Sequence, residues 1–146
     1  MTPFLRWSLL ATVSILSLSA CKKEEPTRAE LLMGPKWLTT AFYTERKGQD
    51  NYDLLGVGTC YSDDFKVYTT GKYTRDEGAI KCDPSYPQVT AGTWQLTENE
   101  TKFTIREVGW AESETWTLVE ITSSTMTIEK PSANPDAKFV RKFKAI

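Results

Sequence analysis

The chain has 146 residues, with 18 basic and 19 acidic side chains, no histidine and a formal net charge of −1. This balance provides no basic patch, so we expect no nucleic-acid partner. The lack of histidine excludes Ser–His and Cys–His nucleophile pairs and histidine-ligated metal sites, and no Gly-rich phosphate loop occurs. We therefore predict that the protein is not an enzyme and carries no metal and no cofactor.

The N-terminal residues have the pattern of an export signal. Arg6 precedes an apolar run over residues 7–18, which is too short for a bilayer span of about 20 residues and fits the h-region of a signal peptide. Residues 18–21, Leu-Ser-Ala-Cys, resemble the bacterial lipobox. That resemblance implies removal of residues 1–20 and lipid attachment at Cys21. An ordinary signal peptide and an uncleaved N-terminal helix are the alternatives.

Four charged residues, KKEE, follow at once. They are similar to the export signal of surface lipoproteins in Bacteroidota, which implies display on the outer face of the outer membrane; a simple solvated tether is the alternative. Because each buried acyl CH₂ contributes about 0.8 kcal/mol, a lipid on Cys21 holds the protein on the membrane without a spanning helix. Residues 21–30 are thus predicted to be the lipidated tether, and residues 31–146 one domain.

Two cysteines remain once Cys21 is assigned to lipid. In an oxidising compartment Cys60 and Cys82 are expected to form a disulfide. The bridge would close a loop of about 20 residues and stabilise the fold by about 3 kcal/mol in the chain-entropy model. Two buried free thiols are the alternative.

The rest of the domain has a β pattern. After one helical turn at residues 29–33, period-two alternation between turn residues predicts strands, while residues 52–58 form a short helix or a lid. Eight consecutive strands with short connections predict an all-β, up-and-down antiparallel barrel, with an open Greek-key sandwich as the alternative. The predicted strands cover residues 36–44, 65–70, 72–78, 90–97, 102–108, 114–122, 125–130 and 137–146.

Alternation assigns side chains to faces of the strands. In residues 114–122, Trp116 and Leu118 are predicted on one face, and Val119 and Ile121 on the other. Large inward side chains either fill such a small barrel or leave room for one small ligand. If a ligand binds inside, the following residues are the predicted site: Trp37, Trp94, Phe103, Trp116, Met126 and Arg141.

The segments CYSDDF (residues 60–65) and GTWQL (residues 92–96) resemble the lipocalin-like domain of bacterial lipoproteins, and the resemblance covers most of residues 31–143. The chain departs from the family's Leu-x-Gly-x-Trp start, since Pro35 and Lys36 separate Gly34 from Trp37. The resemblance implies a small barrel with a lipocalin-type pocket and names no ligand. It also implies that Arg141 stacks over Trp37 in a cation–π contact; the alternative is that Val140 points inward and Arg141 lies at the rim.

Three acidic groups offer paired carboxylates for acid–base chemistry or Ca²⁺: Asp63 with Asp64, Asp76 with Glu77, and Asp50 with Asp53. Each lies in a predicted turn, where Asp commonly bonds the backbone, and we interpret them as turn residues. The sequence therefore predicts a lipid-anchored envelope lipoprotein that binds a small apolar ligand. The alternative is an interaction or structural surface protein, an accessory subunit or inhibitor with a protein partner, a filled barrel and no ligand.

Overall fold

The described part of the chain forms one short helix and nine strands of a single antiparallel sheet. The computed structural model describes residues 24–56 and 60–146, so the predicted signal peptide and Cys21 lie outside the described residues. Within the described ranges, no helix is both long and apolar enough to cross a membrane. The elements are α1 (Arg28–Met33), β1 (Lys36–Arg46), β2 (Tyr52–Asp53), β3 (Phe65–Thr69), β4 (Lys72–Asp76), β5 (Val89–Thr97), β6 (Lys102–Glu107), β7 (Glu114–Ile121), β8 (Thr125–Pro131) and β9 (Ala137–Ala145).

Pairing of the first and last long strands closes the sheet into a ring. From β3 to β9 each strand pairs with the next, and β1 pairs with both β3 and β9. The β1–β9 ladder runs from Trp37 opposite Ala145 to Arg46 opposite Ala137, whereas β2 pairs only with the second half of β1. Eight strands thus form the closed wall, which leaves no long exposed edge. The predicted up-and-down barrel is confirmed, and the sandwich alternative is excluded.

Two β-bulges change which residues face inward. In β7 the register shifts between Leu118 and Glu120, so Val119 points outward with 46% of its surface exposed. Ile121 then returns to the inner face and packs against the core. The prediction that Val119 and Ile121 share one face was wrong, because a bulge adds one residue and inverts the alternation beyond it. A similar shift in β1 lies between Thr39 and Ala41.

Helix α1 covers one end of the barrel. Its N-terminus has a capping box, in which Thr27 and Glu30 bond each other's backbone amides. The Arg28 guanidinium donates to the carbonyl oxygens of Glu100 and Leu118, which lie at the same end. The indole of Trp37 donates to the Leu32 carbonyl at 2.9 Å. The predicted helical turn is confirmed, and it closes the end of the barrel at which the chain enters.

The aromatic core fills the barrel beside α1. Gly92, in the GTWQL segment, allows the Tyr73 ring to lie across β5, since a Cβ there would overlap that ring and lie 2.5 Å from the Arg106 carbonyl oxygen. The Trp94 indole donates to two carbonyl oxygens of the β3–β4 turn, at 2.7 and 2.9 Å. The buried core contains Leu32, Trp37, Tyr68, Tyr73, Trp94, Phe103, Ile105, Trp116, Leu118, Met126, Ile128 and Phe143.

Longer loops and the disulfide lie at the opposite end. Cys60 and Cys82 are bonded, so the predicted bridge is confirmed, and it ties the loop before β3 to the loop after β4. The Asp63 carboxylate joins the same loops by accepting the backbone amides of Ala79 and Ile80 at 2.7 and 3.1 Å. Of the predicted lid, residues 52–53 form β2 instead of a helix, and residues 57–58 lie outside the described residues.

Loss of the disulfide should destabilise the protein. The double variant Cys60→Ser/Cys82→Ser removes the cross-link and is expected to lower the free energy of unfolding by about 3 kcal/mol, as measured by urea denaturation. Wild-type protein in reductant should unfold at the same midpoint as the variant. Coincident midpoints for oxidised wild type and variant would show that the bridge does not contribute.

Candidate ligand-binding cavity

A cavity of about 370 Å³ lies inside the barrel at the loop end. Its volume is in the lower part of the range of about 300–1,000 Å³ that small-molecule sites occupy. Strands β1, β3, β4 and β9 form its wall, and the loops after β2 form its rim. The lining residues are Thr39, Phe42, Leu54, Leu55, Tyr61, Asp64, Lys66, Arg75 and Arg141.

The guanidinium of Arg141 lies against two aromatic rings. Its central carbon is 4.2 Å from the centroid of Phe42 and 4.9 Å from that of Trp116. Within residues 24–56 and 60–146 it makes no hydrogen bond and no ion pair, and its Nε is buried without an acceptor. Burial lowers the pKa of Arg141 from its usual value, but a guanidinium stays charged in proteins. Among the described residues, the contacts of the Arg141 cation are therefore cation–π contacts with Phe42 and Trp116.

A second cation, Lys66, lies on the same wall. The residue is 9% exposed, and its ammonium is 5.6 Å from the centroid of Phe143. It has no hydrogen bond and no ion pair with any residue in the described part of the chain. Burial, reinforced by the charge of Arg141, lowers the pKa of Lys66 to about 8. Lys66 is thus mostly protonated at neutral pH, without a bonded acceptor.

The third cation has partners within the protein. The Arg75 guanidinium is 3.6 Å from the Glu77 carboxylate and 3.5 Å from that of Glu107. The Tyr73 hydroxyl donates to Glu107 at 3.3 Å, and burial raises the pKa of Tyr73. The two carboxylates therefore compensate Arg75, although neither of them lines the cavity.

One carboxylate, Asp64, lines the cavity among the described residues. It is buried, one of its oxygens has no hydrogen-bond partner, and burial raises its pKa. The nearby charges of Lys66 and Arg75 act in the opposite direction and favour its ionised form. Because Arg75 is compensated, the described lining keeps two unpaired cations, Lys66 and Arg141, against one carboxylate, which gives a net positive surface.

The structure brings one predicted site residue to the cavity, namely Arg141. Trp116 lies beneath it as a ring partner, and the other predicted residues are packed in the core: Trp37, Trp94, Phe103 and Met126. A ligand role for these core residues stays a prediction.

The expected stack of Arg141 over Trp37 was wrong, because the strand register separates the two residues. On β9, Arg141 pairs with Phe42 of β1, whereas Trp37 pairs with Ala145. At about 3.4 Å per residue, these levels are roughly 14 Å apart along the strand. The alternative of Arg141 at the rim is also wrong, because Arg141 lines the cavity and contacts Phe42 and Trp116. Val140 is buried but lies outside the core cluster.

Sequence reasoning missed six lining residues: Thr39, Phe42, Tyr61, Asp64, Lys66 and Arg75. Two of them carry a period-two signal, since Lys66 is two residues before Tyr68 and Arg75 is two residues after Tyr73. Both tyrosines belong to the core, so alternation points each cation inward. Because charged side chains are ordinarily assigned to the outer face of a strand, these two residues were not predicted to lie inside the barrel.

Three of the six acidic residues bond loop backbone, as predicted for turn residues, whereas Asp64 lines the cavity and Glu77 pairs with Arg75. Asp53 accepts the Leu55 amide at 2.9 Å, Asp63 bonds the neighbouring loop, and Asp76 accepts the Gly78 amide at 3.0 Å. No group of three His, Cys, Asp or Glu side chains is arranged to hold a metal ion in residues 24–56 and 60–146.

The fold matches that of a solved structure, the crystal structure of a lipocalin-like protein from Bacteroides uniformis ATCC 8492. The TM-score is 0.50 and the sequence identity 12%, and the match covers 78% of this chain and 98% of that chain. No protein-family model and no curated protein matches the sequence. The chain therefore has a lipocalin-like fold.

The buried Lys66 should make stability depend on pH in the alkaline range. An unfolded lysine holds its proton up to about pH 10.5, whereas folded Lys66 loses it near pH 8. The unfolded state therefore binds more protons between these values, and the free energy of unfolding should rise with pH. Between pH 7 and 9.5 we expect a gain of about 2 kcal/mol relative to Lys66→Met.

Urea denaturation across this range measures the difference. The range stops at pH 9.5 because burial also raises the pKa of Tyr68 and Tyr73, which reverses the pH dependence above about pH 10. Parallel pH profiles for wild type and Lys66→Met would contradict the burial of a charged lysine.

Proposed function

We propose that the protein is a lipid-anchored envelope lipoprotein whose barrel binds one small molecule in the cavity described above. The cavity itself carries this proposal, since it combines about 370 Å³ of space with apolar walls and a few polar groups. Ligand sites commonly have this composition and often lie in the mouths of β-barrels. A filled barrel that acts only through its surface is less favoured, because the inner face leaves this space open.

The position of the cavity fits attachment through Cys21. The chain enters the barrel at α1, and the cavity is at the opposite end, among the loops joined by the disulfide. Arg28 is the seventh residue after Cys21, and a chain of that length spans at most about 25 Å. A lipid on Cys21 would therefore hold the α1 end near the bilayer and leave the cavity directed away from it. We propose an outer-membrane location because residues 22–25, KKEE, resemble the export signal of surface lipoproteins.

We propose binding rather than catalysis for the cavity. Its charged side chains are two unpaired cations, one arginine bound to two carboxylates, and Asp64. Among the described lining residues no serine, cysteine or histidine is present, so the usual nucleophile–base pair is missing there.

Small molecules that enter the cavity should stabilise the protein. A ligand at 100 times its dissociation constant adds about 2.7 kcal/mol to the free energy of unfolding. We expect a rise of several degrees in melting temperature for at least one member of a panel of medium-chain amphiphiles and quinones. Leu54→Trp, which adds volume on the cavity rim, should abolish the shift. Val108→Trp, in an exposed turn outside the cavity, should retain it. Equal shifts in both variants would place binding elsewhere.

The anchor is tested separately. Cys21→Ala removes the predicted lipidation site, so we expect the protein to move from the membrane fraction to the soluble fraction and to lose incorporation of labelled palmitate. The matched control is Cys82→Ser, which changes a cysteine of the disulfide and should still fractionate with membranes. A Cys21→Ala protein that stays in the membrane pellet after a carbonate wash would refute the anchor.

A further inference from the structure

We infer that the cavity recognises a small amphiphilic anion, with its carboxylate held by Arg141 and Lys66 and its apolar part against Phe42, Leu54 and Leu55. This inference rests on the proposed ligand-binding function and gives the ligand its chemical class. It departs from the purely apolar ligand that the sequence predicts.

The geometry of Arg141 carries the inference. A guanidinium has five N–H donors in a planar fork that matches a carboxylate. In this structure the rings of Phe42 and Trp116 hold the guanidinium in place, and no oxygen in the described part of the chain accepts from it. Burying a charge without an acceptor is costly. A ligand oxygen that accepts from the fork would remove this cost.

Lys66 provides the second half of the site. The residue lies on the same wall and is 9% exposed, and its ammonium lacks a bonded acceptor among the described residues. The positive charge of Arg141 disfavours the protonated form of Lys66 and thereby lowers the pKa of Lys66. One anionic group near both would relieve this repulsion, which a neutral ligand cannot do.

The other charges around the site favour an anion over a cation. Arg75 is already engaged by Glu77 and Glu107, and Glu114 is paired with Lys130. Asp64 is therefore the one carboxylate on the wall in the described residues, against Lys66 and Arg141. A cationic ligand would meet two unpaired positive charges.

The test uses octanoate and octan-1-ol, which share a chain and differ in charge. We expect octanoate to bind wild-type protein at least ten-fold more tightly than octan-1-ol by isothermal titration calorimetry, since hydrogen bonds to charged groups carry this preference. Arg141→Gln and Lys66→Met should each weaken octanoate binding by about ten- to hundred-fold and leave octan-1-ol binding within about three-fold.

Lys142→Gln is the matched control, since it removes a positive charge from the next residue of β9, on the exposed outer face. It should bind octanoate like wild type. Lys66→Met keeps the test valid if Arg141→Gln does not fold, because it exchanges a buried cation for an apolar side chain of similar length.

Each other outcome overturns the inference. Equal affinity for octanoate and octan-1-ol, or equal losses in Lys66→Met and Lys142→Gln, would refute anion recognition and leave the binding function standing. Octyl phosphate, tested in parallel, should bind less tightly than octanoate if the site recognises a carboxylate. Tighter binding of octyl phosphate would show that the site recognises a phosphate group instead. If no probe binds and the wider panel also fails, both the inference and the proposed function are wrong.

Discussion

The pairing of β1 with β9 is the constraint on which the rest of the structure depends. It closes the ring, so every long strand in the described residues has two neighbours, and only the two-residue β2 keeps a free edge there. It also sets the register that places Arg141 beside Phe42 and Trp37 near α1. The same ladder therefore separates the barrel interior into an aromatic core at the α1 end and a charged cavity at the loop end.

The two ends of the interior have opposite energetic roles. Aromatic burial around Trp94 and Phe103 stabilises the fold, whereas Lys66 and Arg141 lie in the cavity without acceptors among the described residues and oppose it. The disulfide and the Asp63 contacts hold the loops around the cavity. Proteins keep such costly arrangements mainly at functional sites, which supports our assignment of binding to this end.

Much of the fold follows from local sequence, and the cavity does not. Alternation in residues 102–107 and the turns between strands are local features, so strand order and the barrel could be predicted. The inward position of Phe42 depends on a bulge in β1, and the ring partners of Arg141 depend on pairing between strands about 100 residues apart. Neither has a local signal. Lys66 did carry one, since it shares a strand face with Tyr68.

The most direct test of this account is the arginine Nε–H region of a ¹H–¹⁵N correlation spectrum. An Arg141 side chain held between two rings should give one Nε–H signal that exchanges slowly with water and is displaced by ring currents, and Arg141→Gln should remove that signal alone. If the signal that Arg141→Gln removes exchanges fast and lies at the position of free arginine, Arg141 is not enclosed in the barrel, and the closed interior with its unpaired cation is wrong.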